Sequence, residues 1–204
     1  ATPTMLSMSS DASTAAATAA KRALRAELRE RRRIRPAGER EASAASLTAQ
    51  LIALTEQSGA RTVACYLSTP DEPPTRAYLA WAREHGVDVL LPVSRDDGLL
   101  DWAAYDSDDE GEDVLGLPVP LGGIVPPIRV NEVDLMLVPA AACDRGGMRM
   151  GWGRGYFDKT LGSMDRRPPV YAVVYDDEIM DALPREPHDQ PVDGAVTPSG
   201  LHRF

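Results

Sequence analysis

The chain has 204 residues, 43% of them hydrophobic, which is enough for one sizeable core, so we interpret it as a single domain. Its longest apolar runs are far too short to span a bilayer and no signal segment is evident, so we expect a soluble protein. The formal net charge of -9 disfavours nucleic acid and acidic membranes as partners of the molecule as a whole, because its mean field repels phosphate.

The amino-terminal part is predicted to be helical after a short tail. Residues 1–16 are mostly Ala, Thr and Ser with few large apolar side chains to anchor them, so we expect a disordered tail before a domain at residues 17–204. From about residue 17, good helix formers carry apolar residues at helical spacing until Pro36 interrupts them. A second helix is predicted over residues 37–57, with Gly59 as its terminator.

The rest of the chain is predicted to alternate between strands and helices. Helical stretches lie at residues 75–85 and 156–164, and short apolar runs indicate strands at 62–67, 87–93, 99–105, 133–140, 170–175 and 192–197. This order predicts an α/β fold with a largely parallel sheet covered by helices, in which ligands bind beyond the carboxyl ends of the strands. The acidic run at 106–113 lacks the ligand pattern of a calcium loop and is interpreted as a solvated turn.

The two cysteines, Cys65 and Cys143, lie in predicted strands or at strand ends and show no metal-ligand spacing. We therefore expect buried, reduced thiols. Such thiols are typical of a cytoplasmic protein.

The segment after the fourth predicted strand carries the strongest functional signal. Residues 148–158 read MRMGWGRGYFD, in which Gly151, Gly153 and Gly155 alternate with larger residues. Alternate glycines let consecutive backbone amides turn toward an anion, and the helix that follows would aim its positive end at the same phosphate. The arginines of the segment would supply charge. The pattern therefore predicts a phosphate-binding loop between a strand and a helix.

A flexible connection with solvated arginines is the alternative interpretation of an isolated glycine-rich string. The position between strand and helix, the two aromatic residues and the closing Asp158, an acid suited to Mg²⁺, favour the phosphate-binding loop. It is not a Walker loop, because the Gly-Lys-Ser or Gly-Lys-Thr ending is missing.

Two further charged segments are ambiguous by themselves. Lys21 and Arg25 lie four residues apart, hence on one helix face, where they could contact a phosphate, but a solvated face with ordinary ion pairs is the simpler interpretation. His188 and Asp189 lie in a proline-rich loop before the last predicted strand. Asp189 could be a second metal-bound carboxylate, although an acid in a loop is usually only solvated.

Four blocks of the sequence together resemble the 5-formyltetrahydrofolate cyclo-ligase family, also called methenyltetrahydrofolate synthetases. They are KRALR at 21–25, YLSTPDE at 66–72, MRMGWGRGYFD at 148–158 and PHDQPVD at 187–193, in the order of the family. The resemblance implies a three-layer α/β/α domain. It also implies that ATP, with Mg²⁺, phosphorylates the formyl oxygen of 5-formyltetrahydrofolate, after which ring closure yields 5,10-methenyltetrahydrofolate, ADP and phosphate.

The resemblance also implies roles for the positions that match the family's motifs. The implied metal ligands are Asp158 and Asp189, and the implied folate-binding residues are Thr69, Glu72, Trp152, Gly153, Arg154, Gly155 and Tyr156. The implied ATP-binding residues are Lys21, Arg22, Ala23, Leu24, Arg25, Arg149, Met150, Gly151, Trp152, Gly153, Arg154, Gly155, Tyr156 and Phe157. The expected partners are thus ATP and 5-formyltetrahydrofolate, without nucleic acid or membrane, and a cytoplasmic monomer is favoured.

The chain departs from the family's pattern at two positions. Pro74 stands where the family often has a second acid, so recognition of the pterin amino group falls to Glu72 or to backbone carbonyls, and Phe157 replaces a common tyrosine. Two other interpretations stay open. One is a nucleotide-binding regulatory domain that has lost folate turnover; the other is a nucleic-acid- or partner-binding arm at residues 21–35, which the acidic remainder of the chain disfavours.

Overall fold

The computed structural model describes the backbone from residue 5 and the side chains from residue 14, both to Phe204. The helices are α1 (Met5–Ile34), α2 (Ala37–Ser58), α3 (Arg76–Glu84) and α4 (Tyr156–Ser163), with 3₁₀ helices at Pro127–Glu132 and Asp176–Glu178. The strands are β1 (Thr62–Ala64), β2 (Asp88–Ser94), β3 (Leu100–Ala104), β4 (Glu110–Glu112), β5 (Pro118–Pro120), β6 (Ile124–Val125), β7 (Leu135–Pro139), β8 (Ala142–Asp144), β9 (Arg149–Met150), β10 (Val170–Val173), β11 (Ile179–Met180), β12 (Gly194–Thr197) and β13 (Gly200–Arg203). Within residues 5–204, no helix combines the length and the apolar character needed to cross a bilayer.

An eight-stranded sheet organises the domain, in the order β13-β12-β10-β7-β1-β2-β3-β6. The strands β12, β10, β7, β1 and β2 run parallel to one another. Antiparallel strands extend the sheet at both sides, β13 next to β12, and β3 with β6 next to β2. The predicted α/β class with a largely parallel sheet is confirmed.

The central strands are buried on both faces, as expected for parallel strands that are covered by helices on each side. In β7, Leu135 and Leu137 belong to the core that also contains the buried faces of α2 and α3. Met136 and Val138 point to the opposite core, which includes Leu161 of α4. The near-continuous apolar run of β7 therefore serves two cores at once, with helices in the layers above and below.

Helix α1 packs beside the chain segment that leaves the carboxyl end of β7. Its Leu28 is fully buried against a small cluster that contains Ala141, Ala142 and Met150. Arg32, one turn further along, donates a hydrogen bond to the carbonyl oxygen of Ala140 at 2.8 Å. The helix therefore lies at the edge of the sheet where α/β proteins bind their ligands.

Several local predictions agree with the structure. Pro36 lies between α1 and α2, and Gly59 ends α2 with a left-handed φ of 65°, a conformation in which glycine has no Cβ penalty. Cys65 and Cys143 are both buried and unpaired.

The structure also differs from the prediction at two places. Helix α1 begins at Met5, earlier than predicted, and half of residues 5–16 are Met, Leu or Ala, which are strong helix formers. Residues 1–4 and the side chains of residues 5–13 lie outside the described part, so the division of tail from domain stays a prediction. The run 106–113 is not only a turn, because its strand β4 pairs with β5. The Glu-Gly-Glu sequence of β4 has no apolar alternation to indicate a strand.

Candidate active site

A cleft of about 1060 Å³ opens between α1, the glycine-rich loop and the segments that follow β1 and β11. Most of the predicted site residues line this single cleft. They are Lys21, Arg25, Thr69, Glu72, Arg149, Met150, Gly151, Trp152, Gly153, Arg154, Gly155, Tyr156, Phe157, Asp158 and Asp189. Residues from four separate blocks of the sequence thus meet at one place, which no single block could indicate.

Three predicted residues do not line the cleft. Arg22 and Ala23 are exposed, and Leu24 packs against the buried cluster around Leu28. A helix turns once in 3.6 residues, so the face that presents positions 21 and 25 to the cleft turns the intervening positions away from it. The assignment of these three residues to ATP binding stays a prediction.

One end of the cleft is built around the buried ammonium group of Lys21. Its Nζ lies 2.6 Å from Glu186 Oε2 and 2.6 and 2.7 Å from the two carboxylate oxygens of Asp189. Hydrogen bonds from Lys21 and from the Thr18 hydroxyl hold the pKa of Glu186 below its ordinary value. Lys21 is only 3% exposed, so the interpretation of this helix face as merely solvated is wrong for Lys21.

The glycine-rich loop connects β9 to α4 and adopts conformations that require glycine. Gly153 and Gly155 have φ angles of 98° and 70°, in the left-handed region that L side chains rarely adopt. The Nε of Arg25 donates to the carbonyl oxygen of Gly151 at 2.8 Å and thereby ties α1 to the loop. Gly155 directly precedes α4, so the first amides of that helix face the same region.

Asp158, in the first turn of α4, links the loop to the carboxyl-terminal segment. Its Oδ1 accepts hydrogen bonds from Arg149 Nη2 at 2.8 Å and from the backbone N–H of Gln190 at 3.2 Å. Because Gln190 follows Asp189, the two predicted metal ligands lie on adjoining parts of the cleft. Asp158 Oδ2 receives no hydrogen bond from the residues whose side chains are described.

A carboxylate lies at the other end of the cleft. Glu72 Oε2 accepts hydrogen bonds from the backbone N–H of Thr69 at 2.9 Å and from its hydroxyl at 3.1 Å. Burial raises the pKa of Glu72 above its ordinary value, and the Thr69 hydrogen bonds only partly oppose this effect. Pro74, the departure from the family's pattern, does not line the cleft.

Several cleft residues were not found from the sequence. Glu186 shares Lys21 with Asp189, and its place three residues before Asp189 was the available signal. Arg32 and Tyr66 line the Glu72 end, and the guanidinium of Arg29 lies 5.2 Å from the centre of the Trp152 ring. Arg29 continues the four-residue spacing of Lys21 and Arg25, whereas no pattern separates Arg32 and Tyr66 from their neighbours in the sequence.

Comparison with known proteins identifies the family of the chain. The model of the 5-formyltetrahydrofolate cyclo-ligase family matches residues 17–198. The chain belongs to this family. The 5-formyltetrahydrofolate cyclo-ligase of Mycolicibacterium smegmatis is 38% identical over 176 residues, which cover 84% of this chain and 90% of that protein. The protein of the same name from Escherichia coli K12 is 30% identical over 146 residues, covering 69% of this chain and 79% of the relative.

A solved structure supports the same placement. The NMR structure of Aquifex aeolicus 5,10-methenyltetrahydrofolate synthetase superimposes with a TM-score of 0.75 at 26% identity, covering 90% of this chain and 92% of that one. Membership of the cyclo-ligase family confirms the predicted fold class and the predicted class of enzyme.

Proposed function

We propose that this enzyme uses ATP and Mg²⁺ to convert 5-formyltetrahydrofolate to 5,10-methenyltetrahydrofolate, releasing ADP and phosphate. The observation that supports the proposal is the construction of the cleft. The glycine-rich loop with its arginines, the partly buried carboxylate of Glu72 and one face of α1 all line this cleft. The named activity of the relatives is in accord with such a two-substrate cleft.

The loop end suits the triphosphate of ATP. Arg154 is exposed and makes no ion pair among the described residues, so its charge is available to an anion. Lys21, Arg25 and Arg149 supply further positive groups, and the amides at the start of α4 supply neutral donors. In a protein of net charge -9, this local concentration of cations is what allows a polyanion to bind.

Asp158 and Asp189 have the chemistry that Mg²⁺ requires, because this ion prefers carboxylate oxygens. Asp158 Oδ2 is available for a cation, and Glu186 and His188 place ligand atoms within 4.8 Å of those of Asp189. The ammonium of Lys21 pairs with Asp189 in this structure, so a metal ion at this carboxylate would compete with Lys21 for its oxygens. Bound Mg²⁺ would neutralise charge on the phosphate oxygens.

The Glu72 end suits the pterin. A carboxylate accepts hydrogen bonds from amino and ring N–H groups, and the flat rings of Trp152 and Tyr156, from the glycine-rich loop, line the same cleft. The Tyr156 hydroxyl donates to the carbonyl oxygen of Arg95 at 2.9 Å, which fixes the ring in place.

The chemistry follows from bringing the two substrates together. The formyl oxygen is a poor leaving group, so it first takes the γ-phosphoryl group of ATP, with cleavage of the bond to ADP. The second folate nitrogen then attacks the activated carbon and releases its proton to solvent, and the carbon–oxygen bond breaks as phosphate departs. No protein nucleophile is needed, and neither cysteine lines the cleft. The residues position the reactants and stabilise negative charge on the transferred group.

The decisive experiment mixes the purified protein with 5-formyltetrahydrofolate, ATP and Mg²⁺ and follows the absorbance of methenyltetrahydrofolate. Product that requires both ATP and Mg²⁺ would support the proposal. Asp158→Asn, which keeps an oxygen for Arg149 and the Gln190 amide, is expected to lower turnover at least about 100-fold without unfolding the protein. Nucleotide binding without product would instead favour the regulatory alternative. The cytoplasmic location, the monomeric state and the lack of nucleic-acid or membrane partners stay predictions.

A further inference from the structure

Two buried polar atoms at the Glu72 end of the cleft have no hydrogen-bond partner among residues 14–204. They are the hydroxyl of Tyr66 and Nη1 of Arg32. Tyr66 is 4% exposed and Arg32 is 2% exposed, and both residues line the cleft. Leaving a buried donor unsatisfied is unfavourable, and such groups in folded proteins call for an explanation. A ligand that accepts these hydrogen bonds is one explanation.

The guanidinium of Arg32 is held rigidly by its other nitrogens. Nε and Nη2 donate to the two carboxylate oxygens of Glu178 at 2.6 and 2.7 Å. The group lies 5.0 Å from the centre of the Trp152 ring and 5.7 Å from that of Tyr175. Nη1 takes no part in these hydrogen bonds. The ion pair with Glu178 therefore fixes the position of Nη1 and leaves its N–H groups able to donate to a ligand.

Tyr66 follows β1 by two residues, and its ring belongs to the core beneath the cleft. Burial raises the pKa of the Tyr66 hydroxyl well above its ordinary value; the negative charge of Glu72 adds to this effect and the positive charge of Arg32 opposes it. The hydroxyl is therefore protonated and able to donate at neutral pH. Tyr66 and Glu72 lie in the same segment after β1, and both line the cleft together with Arg32.

We propose that Tyr66 and Arg32 donate hydrogen bonds to the 4-carbonyl oxygen of the pterin ring, beside the amino and N3–H groups that Glu72 accepts. The inference rests on the proposed function and deepens it. A pterin carries the carbonyl oxygen, the N3–H and the 2-amino group on one edge, in that order. One carboxylate and two neighbouring donors complement this edge, because a carboxylate only accepts and a guanidinium only donates.

These hydrogen-bonding groups disfavour flat rings that carry a donor where the pterin carries its carbonyl acceptor. A 4-amino group in place of the 4-carbonyl would bring a donor against Arg32, which has no lone pair to offer. Glu178 acts here as a positioning residue, because it orients Arg32 without lining the cleft. Selectivity for the 4-oxo ring over the 4-amino ring is thus assigned to Tyr66 and Arg32.

Tyr66→Phe tests the inference with little risk to the fold, since it removes one hydroxyl and keeps the ring. Tyr78→Phe is the matched control, because Tyr78 is equally buried and its hydroxyl lies 2.8 Å from Thr55 Oγ1, away from the cleft. Calorimetric titration without ATP would measure Kd for 5-formyltetrahydrofolate and for its 4-amino-4-deoxy counterpart. A non-hydrolysable ATP analogue would be titrated separately, and thermal unfolding would be followed without ligand.

We expect Tyr66→Phe to weaken binding of 5-formyltetrahydrofolate about ten-fold, the effect of one buried hydrogen bond. The preference for the 4-oxo over the 4-amino ring should fall by a similar factor. Affinity for the ATP analogue should stay within about two-fold, and the unliganded variant should be at least as heat-stable as the parent, because an unsatisfied hydroxyl is gone. Tyr78→Phe should leave both affinities unchanged.

Equal folate affinity in Tyr66→Phe and the parent, or an unchanged preference between the two rings, would overturn the inference while leaving the proposed function in place. Equal weakening by Tyr78→Phe would also overturn it, because the effect would then come from the core. If the unsubstituted protein binds no 5-formyltetrahydrofolate, the proposed function fails and the inference fails with it.

Discussion

Replacing Glu178 by glutamine is expected to lower the free energy of unfolding by about 3 to 5 kcal/mol, the range for breaking a buried ion pair on one side. Glu178 is 1% exposed, and it is the carboxylate that neutralises Arg32. Its Oε1 accepts from Arg32 Nε at 2.6 Å, and its Oε2 accepts from Arg32 Nη2 and from the Tyr175 backbone N–H, both at 2.7 Å. Glutamine keeps one oxygen and turns an NH₂ group toward a donor, so the charge of Arg32 stays buried without neutralisation.

Thermal unfolding measures this effect directly. For a chain of this length, 1 kcal/mol corresponds to roughly 2 to 4 °C, so the midpoint of Glu178→Gln should fall by roughly 6 to 20 °C. Glu30→Gln is the matched control, because Glu30 pairs with Arg33 on the solvent-facing surface of α1, where both side chains are more than half exposed. We expect this variant to keep the midpoint of the parent, since exposed ion pairs contribute little.

A midpoint of Glu178→Gln within about 2 °C of the parent would refute the reasoning that this pair is buried and mutually dependent. A double variant gives an independent check. Arg32→Met combined with Glu178→Met removes both charges, and it should be more stable than Glu178→Gln alone because no unpaired charge remains in the interior.

Three further results are expected. Burial raises the pKa of Glu72, so the folded protein binds this proton more tightly than the unfolded chain does, and the ionised carboxylate lowers stability at neutral pH. Glu72→Gln should therefore raise the unfolding midpoint at pH 7.5, and this gain should shrink as the pH falls toward the raised pKa of Glu72. The same substitution should weaken folate binding at least about ten-fold. A lower unfolding midpoint of the variant in thermal scans at neutral pH would contradict the stability prediction. Lys21→Met should weaken binding of an ATP analogue at least about ten-fold. Arg31→Met, an exposed control on the same helix that does not line the cleft, should leave this affinity unchanged, and equal losses of the two variants in calorimetry would contradict the prediction. Burial raises the pKa of Cys65 and Cys143 to about 12, so about one thiol in ten thousand is ionised at pH 8, and a chromogenic disulfide reagent should react with both only after unfolding; rapid reaction of the native protein would reveal local opening.

The long elements could be predicted because their periodicity is carried by apolar residues. The runs that became β2, β7 and β10 are nearly continuous in Val, Leu and Met, and α2 has Leu47, Leu51 and Leu54 at helical spacing. The short antiparallel strands could not be predicted. Strands of two or three residues such as Arg149–Met150 exist through pairing with a distant neighbour and contain no period of their own.

The candidate site likewise has a part that could be predicted from the sequence and a part that could not. The glycine-rich loop is contiguous in sequence and has a local pattern, so it was predicted before the fold was known. Arg32 lies between Arg31 and Arg33 and differs from them in no sequence feature, yet it alone of the three is buried. Its burial depends on the ion pair with Glu178, which lies 146 residues away in the sequence. The role of Glu186 likewise depends on its ion pair with Lys21, which lies 165 residues away in the sequence. Roles that depend on such contacts require the structure.

The ion pairs of α1 have a consequence for how the enzyme is made. Lys21 is synthesised 168 residues before Asp189, an interval of roughly 8 to 35 s of translation. During that interval Lys21 lacks its carboxyl-terminal partners, so this end of the cleft can form only when the carboxyl-terminal segment has left the ribosome. A chain that ends before Asp189 therefore lacks the ion pairs that bury the ammonium group of Lys21.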